Sequence, residues 1–334
     1  MEEVKEKPPP GTVLTNSKGI TYVVQPPAPP IREKPPRPEY SIGKYELLRP
    51  LGKGKFGSLY EVREINPFFE PIVQTNDMSS SMTNARYAIK MEERESEMSM
   101  LQHESTILYA LMKHSIPQIP KLYWYGTDDS WRFMTTTLFS GISLQDVIVQ
   151  ETFEWKDILQ WFKEACSILR NIHAAGAIHR DIKPVHFLRD NKSNKWNLID
   201  FGLSTFYVNG KQEFLENEPK TNIVGTPNYM SIYIHQGNTP SRRDDMISLI
   251  YIFLNAYLKH YFSTELPWIC LNRNDFTSDS NNLSNIHHPY NEAILAQKEW
   301  KSLYKWLYIQ KVESSVLQIV KTAASWTFLC EPEF

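Results

Sequence analysis

His179 to Leu188 reads HRDIKPVHFL, and Asn197 to Gly202, shortly after it, reads NLIDFG. Both stretches set charged residues among apolar neighbours. Asp181 is suited to accept a proton from a hydroxyl, and Lys183 to neutralise a phosphoryl group in transfer. Asp200 follows Leu198 and Ile199, and its hard carboxylate oxygens suit a Mg²⁺ ion. Phosphoryl transfer asks for positioning and charge neutralisation more than for covalent chemistry. These three side chains offer both.

Working upstream, ARYAIKME predicts a strand with Lys90 near its end. A lysine there is costly unless paired. The helical stretch LQHESTILYALMKH supplies Glu104 as partner, with Leu101, Ile107, Leu108 and Leu111 near one face. YELLRPLGKGKFGSLYEVREI predicts strand, glycine turn, strand, with Gly52, Gly54 and Gly57 at the turn. Glycines let a backbone approach phosphate oxygens without a Cβ clash. The same glycines also suit a plain hairpin. A dinucleotide fingerprint is excluded, because a strand rather than a helix follows. Asn66 to Asn84 reads as a long polar loop.

Downstream, Trp155 to Ala175 is amphipathic through Leu159, Phe162, Cys166, Leu169 and Ile172, and Gly176 stops it. Met246 to Leu258, MISLIYIFLNAYL, is apolar on all faces, as a helix inside a large core would be. It is shorter than the roughly 18 residues of a membrane span. A strand-rich first third and a helix-rich remainder predict an α+β chain of two unlike lobes.

The 334 residues suffice for a substantial core, and 41% hydrophobic content is that of a globular chain. A net charge of −2 gives no nucleic-acid footprint. Cys166, Cys270 and Cys330 are scattered and odd in number, as reduced thiols would be. MEEVKEKPPP is charged and proline-rich, unlike a secretory signal. The expectation is an intracellular monomer, cytoplasmic or nuclear, with no membrane or nucleic-acid partner. Half of the 22 prolines fall in the first 50 residues, so residues 1–40 read as a tail that favours extended polyproline II. Three roles stay open for it: a disordered tail, a segment docking on its own domain, or a ligand for proline-reading modules.

Taken together, HRDIK, IDFG, YAIK, Glu104 and the glycine turn resemble the protein-kinase superfamily. GTPNYMSIYIHQGNTPSRRDDMISL, Gly225 to Leu249, is similar to the casein kinase 1 branch, which carries G-T-x-x-Y-x-S-I-N and S-R-R-D-D. HES before Ile107 and LPW at 266–268 agree with it. The resemblance runs from about Tyr45 to the C-terminus. It implies a bilobal kinase fold, with a small β-rich N-lobe at about 41–138 and a larger helical C-lobe at about 141–334. It implies ATP with Mg²⁺ or Mn²⁺, and protein substrates phosphorylated on serine or threonine. Gly52, Gly54 and Gly57 would cover the phosphates. Lys90 would contact them and pair with Glu104. Leu59, Ala88 and Leu188 would sandwich adenine, with Thr137 as gatekeeper and Leu138, Phe139 and Ser140 as hinge. Asp181 and Lys183 would act at the transferring group, Asp200 at the metal. Leu108, His179 and Phe201 would join an apolar stack between the lobes, and Asp245 would brace the catalytic loop.

Three departures stand out. The branch has asparagine, a metal ligand, where this chain has His186. Imidazole is softer and bulkier than an amide oxygen, suits Mn²⁺ better than Mg²⁺, and must be neutral to ligate, its reference pKa being about 6.5. An anion-binding arginine is replaced by Asn228, Ile269 and Cys270 stand where a polar pair is usual, and Tyr233 replaces the asparagine of S-I-N. The sequence SWTFLCEPEF resembles the segment before the last kinase helix, so that helix is expected to be lacking. Two functions follow as expectations: a serine/threonine kinase weakened or metal-retuned by His186, or a pseudokinase serving as a nucleotide-binding or scaffold module.

Overall fold

The computed structural model describes residues 13–15, 21–23, 41–54, 57–65, 85–95, 99–150, 153–208, 216, 220–271, 273–276 and 284–332. Contacts divide the chain into Met1–Pro38 and Glu39–Phe334. In the first unit, β1 (Val13–Thr15) pairs antiparallel with β2 (Thr21–Val23). The expected docking of the tail and the 66–84 loop turn on residues outside those described.

In the second unit, β3 (Ser41–Ile42), β4 (Tyr45–Gly54), β5 (Gly57–Glu64), β6 (Arg86–Glu93), β7 (Leu122–Thr127) and β8 (Trp131–Thr137) form one antiparallel sheet. Its order is β3-β4-β5-β6-β8-β7. Strand alternation sorts the side chains of β6. Ile89 and Met91 enter a small core with Ile42, Tyr45, Val62, Trp131 and Phe133. Ala88, Lys90 and Glu92 take the other face. Against the sheet lies α1 (Met100–Met112), burying Leu101, Ile107, Leu108 and Leu111 as its sequence predicts.

Past the sheet come β9 (Gly141–Ser143), α2 (Leu144–Gln150) and α3 (Trp155–Ala174). The apolar face of α3 corrects the sequence reading. Leu159 is exposed and Phe162 half-buried, while Ile158, Trp161, Ala165 and Ile168 join Cys166, Leu169 and Ile172 inside. The stripe is wide enough that either register fits the spacing, and packing on the following helices chose between them.

Short strands follow: β10 (Ala177–Ile178), β11 (Phe187–Asp190), β12 (Trp196–Leu198) and β13 (Thr205–Phe206). After α4 (Ile232–His235) comes α5 (Arg242–Phe262), whose residues Arg243–Leu258 are all buried. A capping box of Ser241 and Asp244 opens it. The helices α6 (Pro289–Lys298), α7 (Trp300–Ile309) and α8 (Ser314–Ala324) surround it. Trp326 to Leu329 folds back on α5, and Arg242 Nη2 donates to the Leu329 carbonyl at 2.7 Å. One core runs from α1 through α3 to α5 and α8. This is a sheet-rich N-lobe on a helical C-lobe, an α+β arrangement. Among the described residues no helix is long and apolar enough to cross a membrane.

Candidate active site

Between sheet and helices lies a cleft of about 1110 Å³. It is lined by Gly52, Gly57, Leu59, Ala88, Lys90, Glu104, Thr137, Leu138, Phe139, Ser140, Asp181, Lys183, His186, Leu188 and Asp200. Gly54 stands opposite Gly57 at the end of the β4–β5 hairpin, whose tip lies outside the described residues. The glycines have different reasons. A Cβ on Gly52 would meet nothing within 4 Å, which leaves its backbone open to the cleft. Gly57, at φ +155°, would press a Cβ to 1.9 Å from the Met91 carbonyl, so the neighbouring strand demands it.

Lys90 Nζ donates to Glu104 Oε2 at 2.7 Å and to Asp200 Oδ1 at 3.2 Å. Burial alone would depress its pKa, but the two carboxylates outweigh burial and hold it above the usual lysine value. Glu104 also accepts the Phe201 amide at 3.2 Å. Helix α1 is thus bonded to both the sheet and the loop after β12. The helix start is held too, because Glu92 accepts the amides of Met100 and Leu101, each at 3.1 Å.

Asp181 precedes β11 and Asp200 follows β12, and each lies at strained backbone. Arg180 and Asp200 have φ of +70° and +65°, left-handed values that non-glycine residues rarely take. Asp245, on α5, compensates at Arg180. Its carboxylate accepts the His179 amide at 2.8 Å, the Arg180 amide at 2.9 Å and His173 Nε2 at 2.9 Å. The His179 and Phe201 rings meet edge to face at 5.0 Å, and burial keeps the His179 pKa below the ordinary value. Leu108 is buried in the core these rings share.

Lys183 Nζ donates to Asp181 Oδ2 at 2.6 Å, and Thr226 Oγ1 donates to Asp181 Oδ1 at 2.8 Å. Both carboxylate oxygens are therefore oriented. His186 is buried, and its Nδ1 donates to the Asp181 carbonyl at 3.0 Å. That fixes Nε2 toward Asp200 Oδ2, 3.2 Å away. Burial works against ionised Asp200, yet His186 and Lys90 outweigh it and hold the carboxyl well below the usual range.

Among the described residues no group of three or more His, Cys, Asp or Glu side chains is arranged to hold a metal. The pair Asp200 and His186 fits a metal arriving with a nucleotide, because such sites use one or two protein ligands and substrate phosphates. Sequence reasoning missed Thr226, His235 and Lys298. Thr226 sits inside the quoted GTPNYM stretch, but only the fold brings its hydroxyl to Asp181. At Asn228 the carbonyl accepts Trp268 Nε1 at 2.9 Å and Oδ1 accepts the Tyr290 hydroxyl at 3.4 Å.

A strand-borne lysine paired to a helix glutamate, facing two loop aspartates across a nucleotide-sized cleft, is the arrangement of a two-lobed kinase domain. The chain belongs to the protein kinase family: the description "Protein kinase domain" matches residues 45–319. Such a domain uses ATP, a divalent metal and a protein substrate in general.

Proposed function

We propose that the chain is a serine/threonine protein kinase of casein kinase 1 type, with residues 41–334 as its kinase domain and 1–40 as a proline-rich tail. The observation that carries this reading is the double orientation of Asp181, by Lys183 on one oxygen and Thr226 on the other. An oriented carboxylate accepts the proton of an incoming hydroxyl, and Lys183 stands ready to neutralise the group in transfer. ATP supplies the phosphoryl group and its metal neutralises charge on the phosphates. Lys90, held by Glu104, meets the phosphates. Leu59, Ala88 and Leu188 pack adenine, with Thr137 at the gatekeeper position and Leu138 to Ser140 as the hinge. Asp200 and His186 hold the metal, and the softer nitrogen ligand favours Mn²⁺ over Mg²⁺. Ser231, Ser241 and Asp244 support the branch assignment: they join S-I-Y to S-R-R-D-D through hydrogen bonds.

The experiment is phosphate incorporation into a generic protein substrate with Mg²⁺ and Mn²⁺ compared. Activity is expected to be low, higher with Mn²⁺, and confined to serine and threonine. Asp181→Asn should lower it by about 10²–10⁴-fold. Signal that persists in Asp181→Asn would expose a contaminant. His186 favours a second reading, a nucleotide-binding pseudokinase, because its imidazole fills the position beside Asp200. ATP binding without transfer under either metal would select that reading.

A further inference from the structure

Lys298 ends α6 with 0% of its surface exposed. Within ILAQKEWK it reads as a solvated helix end. Burial pushes its amine well below the usual lysine range, and the surroundings answer with acceptors. Nζ donates to the carbonyls of Pro227 and Met230, each at 2.7 Å. His235 Nε2 lies 3.3 Å away. Burial and the nearby Lys298 hold that imidazole down to about 3, so it is neutral, and its Nε2 also lies 3.2 Å from the Pro227 carbonyl. The rings of Tyr251 and Trp268 close the cage, with centroids 5.0 and 5.2 Å from Nζ.

The bonded carbonyls belong to the segment that runs on from Thr226. At its start Gly225, φ +120°, passes so close to the catalytic loop that a Cβ would lie 2.8 Å from the Arg180 carbonyl. Thr226 then bonds Asp181. Trp268 Nε1 holds the Asn228 carbonyl between the two that Lys298 holds. Thr226 to Met230 is therefore pinned to Asp181 at one end and to Lys298 at the other. Thr226 is the residue through which this segment reaches Asp181.

We propose that Lys298 is a positioning residue for the protein substrate, fixing the Pro227–Met230 backbone and, through Thr226, the orientation of Asp181. The inference rests on the kinase reading above. A lysine serving the core alone would affect stability and leave substrate kinetics intact. A positioning lysine separates protein-substrate kinetics from nucleotide binding.

The test is Lys298→Met, which keeps chain length and apolar volume and removes the amine that bonds both carbonyls. Its kcat and KM for a generic protein substrate are measured beside ATP affinity from direct titration. The expected result is a loss of about 10–100-fold in kcat/KM for the protein, with ATP affinity changed by less than about 2-fold. Should Lys298→Met fail to fold, Lys298→Gln, which keeps a neutral donor, is expected to fold and show the same split with a smaller loss. Unchanged protein kinetics in a folded variant overturn the proposal, as do parallel losses of ATP affinity and protein kinetics. Failure of both variants to fold overturns it in favour of a purely structural lysine. A wild type that transfers no phosphate overturns the kinase reading, and this inference with it. An active wild type matched by its variants overturns the inference alone.

Discussion

At the scale of single residues, His186 takes the place of an asparagine and bonds back to the loop that carries it. A backbone carbonyl only accepts, so the 3.0 Å contact to Asp181 requires the proton on Nδ1. Nε2 then faces Asp200 Oδ2 at 3.2 Å, donating to the carboxylate when it carries a proton and offering a lone pair to a metal when it does not. An amide in this place would make the same bond to the loop with its nitrogen and present an oxygen to the metal. The replacement therefore trades a hard donor for a softer one in an unchanged frame. His186→Asn is expected to raise Mg²⁺-supported transfer by about 10–100-fold and to shrink the advantage of Mn²⁺. Initial rates across both metals check this. His186→Ala, which also removes the bond to Asp181, should lower transfer with either metal.

Between elements, two contacts answer substitutions that look damaging in the sequence. Tyr233 stands where the branch has asparagine, and the Arg243 guanidinium lies 3.5 Å from its ring centroid. An aromatic face inside the C-lobe thus meets a buried cation, which costs less than leaving that cation unpartnered. Tyr233→Asn removes the face and should destabilise the domain by about 1–2 kcal/mol, read from denaturant midpoints at constant m. Glu92 does comparable work at α1, which lacks a side-chain cap from Ser99. Its carboxylate takes the first free amides of the helix and opposes the positive end of the helix dipole. Glu92→Ala should cost about 1–2 kcal/mol and weaken ATP binding, because α1 carries Glu104 to Lys90. Denaturation and nucleotide titration on the same variant check both effects. Neither contact was legible in the sequence. Strand alternation gives the face of Glu92, but its acceptor role needs the helix to start beside β6.

Across the whole molecule, legibility follows sequence distance. Lys90, Asp181, Lys183 and Asp200 could be picked out as candidates because each sits in a short run whose local pattern is informative, and the fold brings all four to one cleft. The all-round apolar character of Met246–Leu258 marked α5 as the buried helix. Thr226 and Lys298 were not readable, because the groups they bond lie tens of residues away and only packing joins them. Asp245 shows how the buried helix and the strained loop depend on each other. It accepts three donors, from His179, Arg180 and His173, and so holds the left-handed backbone at Arg180. Burial would raise its pKa, but the bond from His173 and the charge and amide of the catalytic loop outweigh burial and lower it. A carboxylate depressed in the folded state contributes stability that is complete above its unfolded pKa, about 3.9, and is lost as pH falls through the folded value. Asp245→Asn has one acceptor oxygen for three donors. It should cost about 1–3 kcal/mol at neutral pH for each donor left unpaired. The gap between wild type and variant should hold from pH 7 to about pH 4 and narrow below that, as pH falls from the unfolded value through the folded one. Urea unfolding of both proteins at pH 7 and at about pH 3 tests this. A gap that stays constant into acid would mean that shape rather than charge holds the loop to α5.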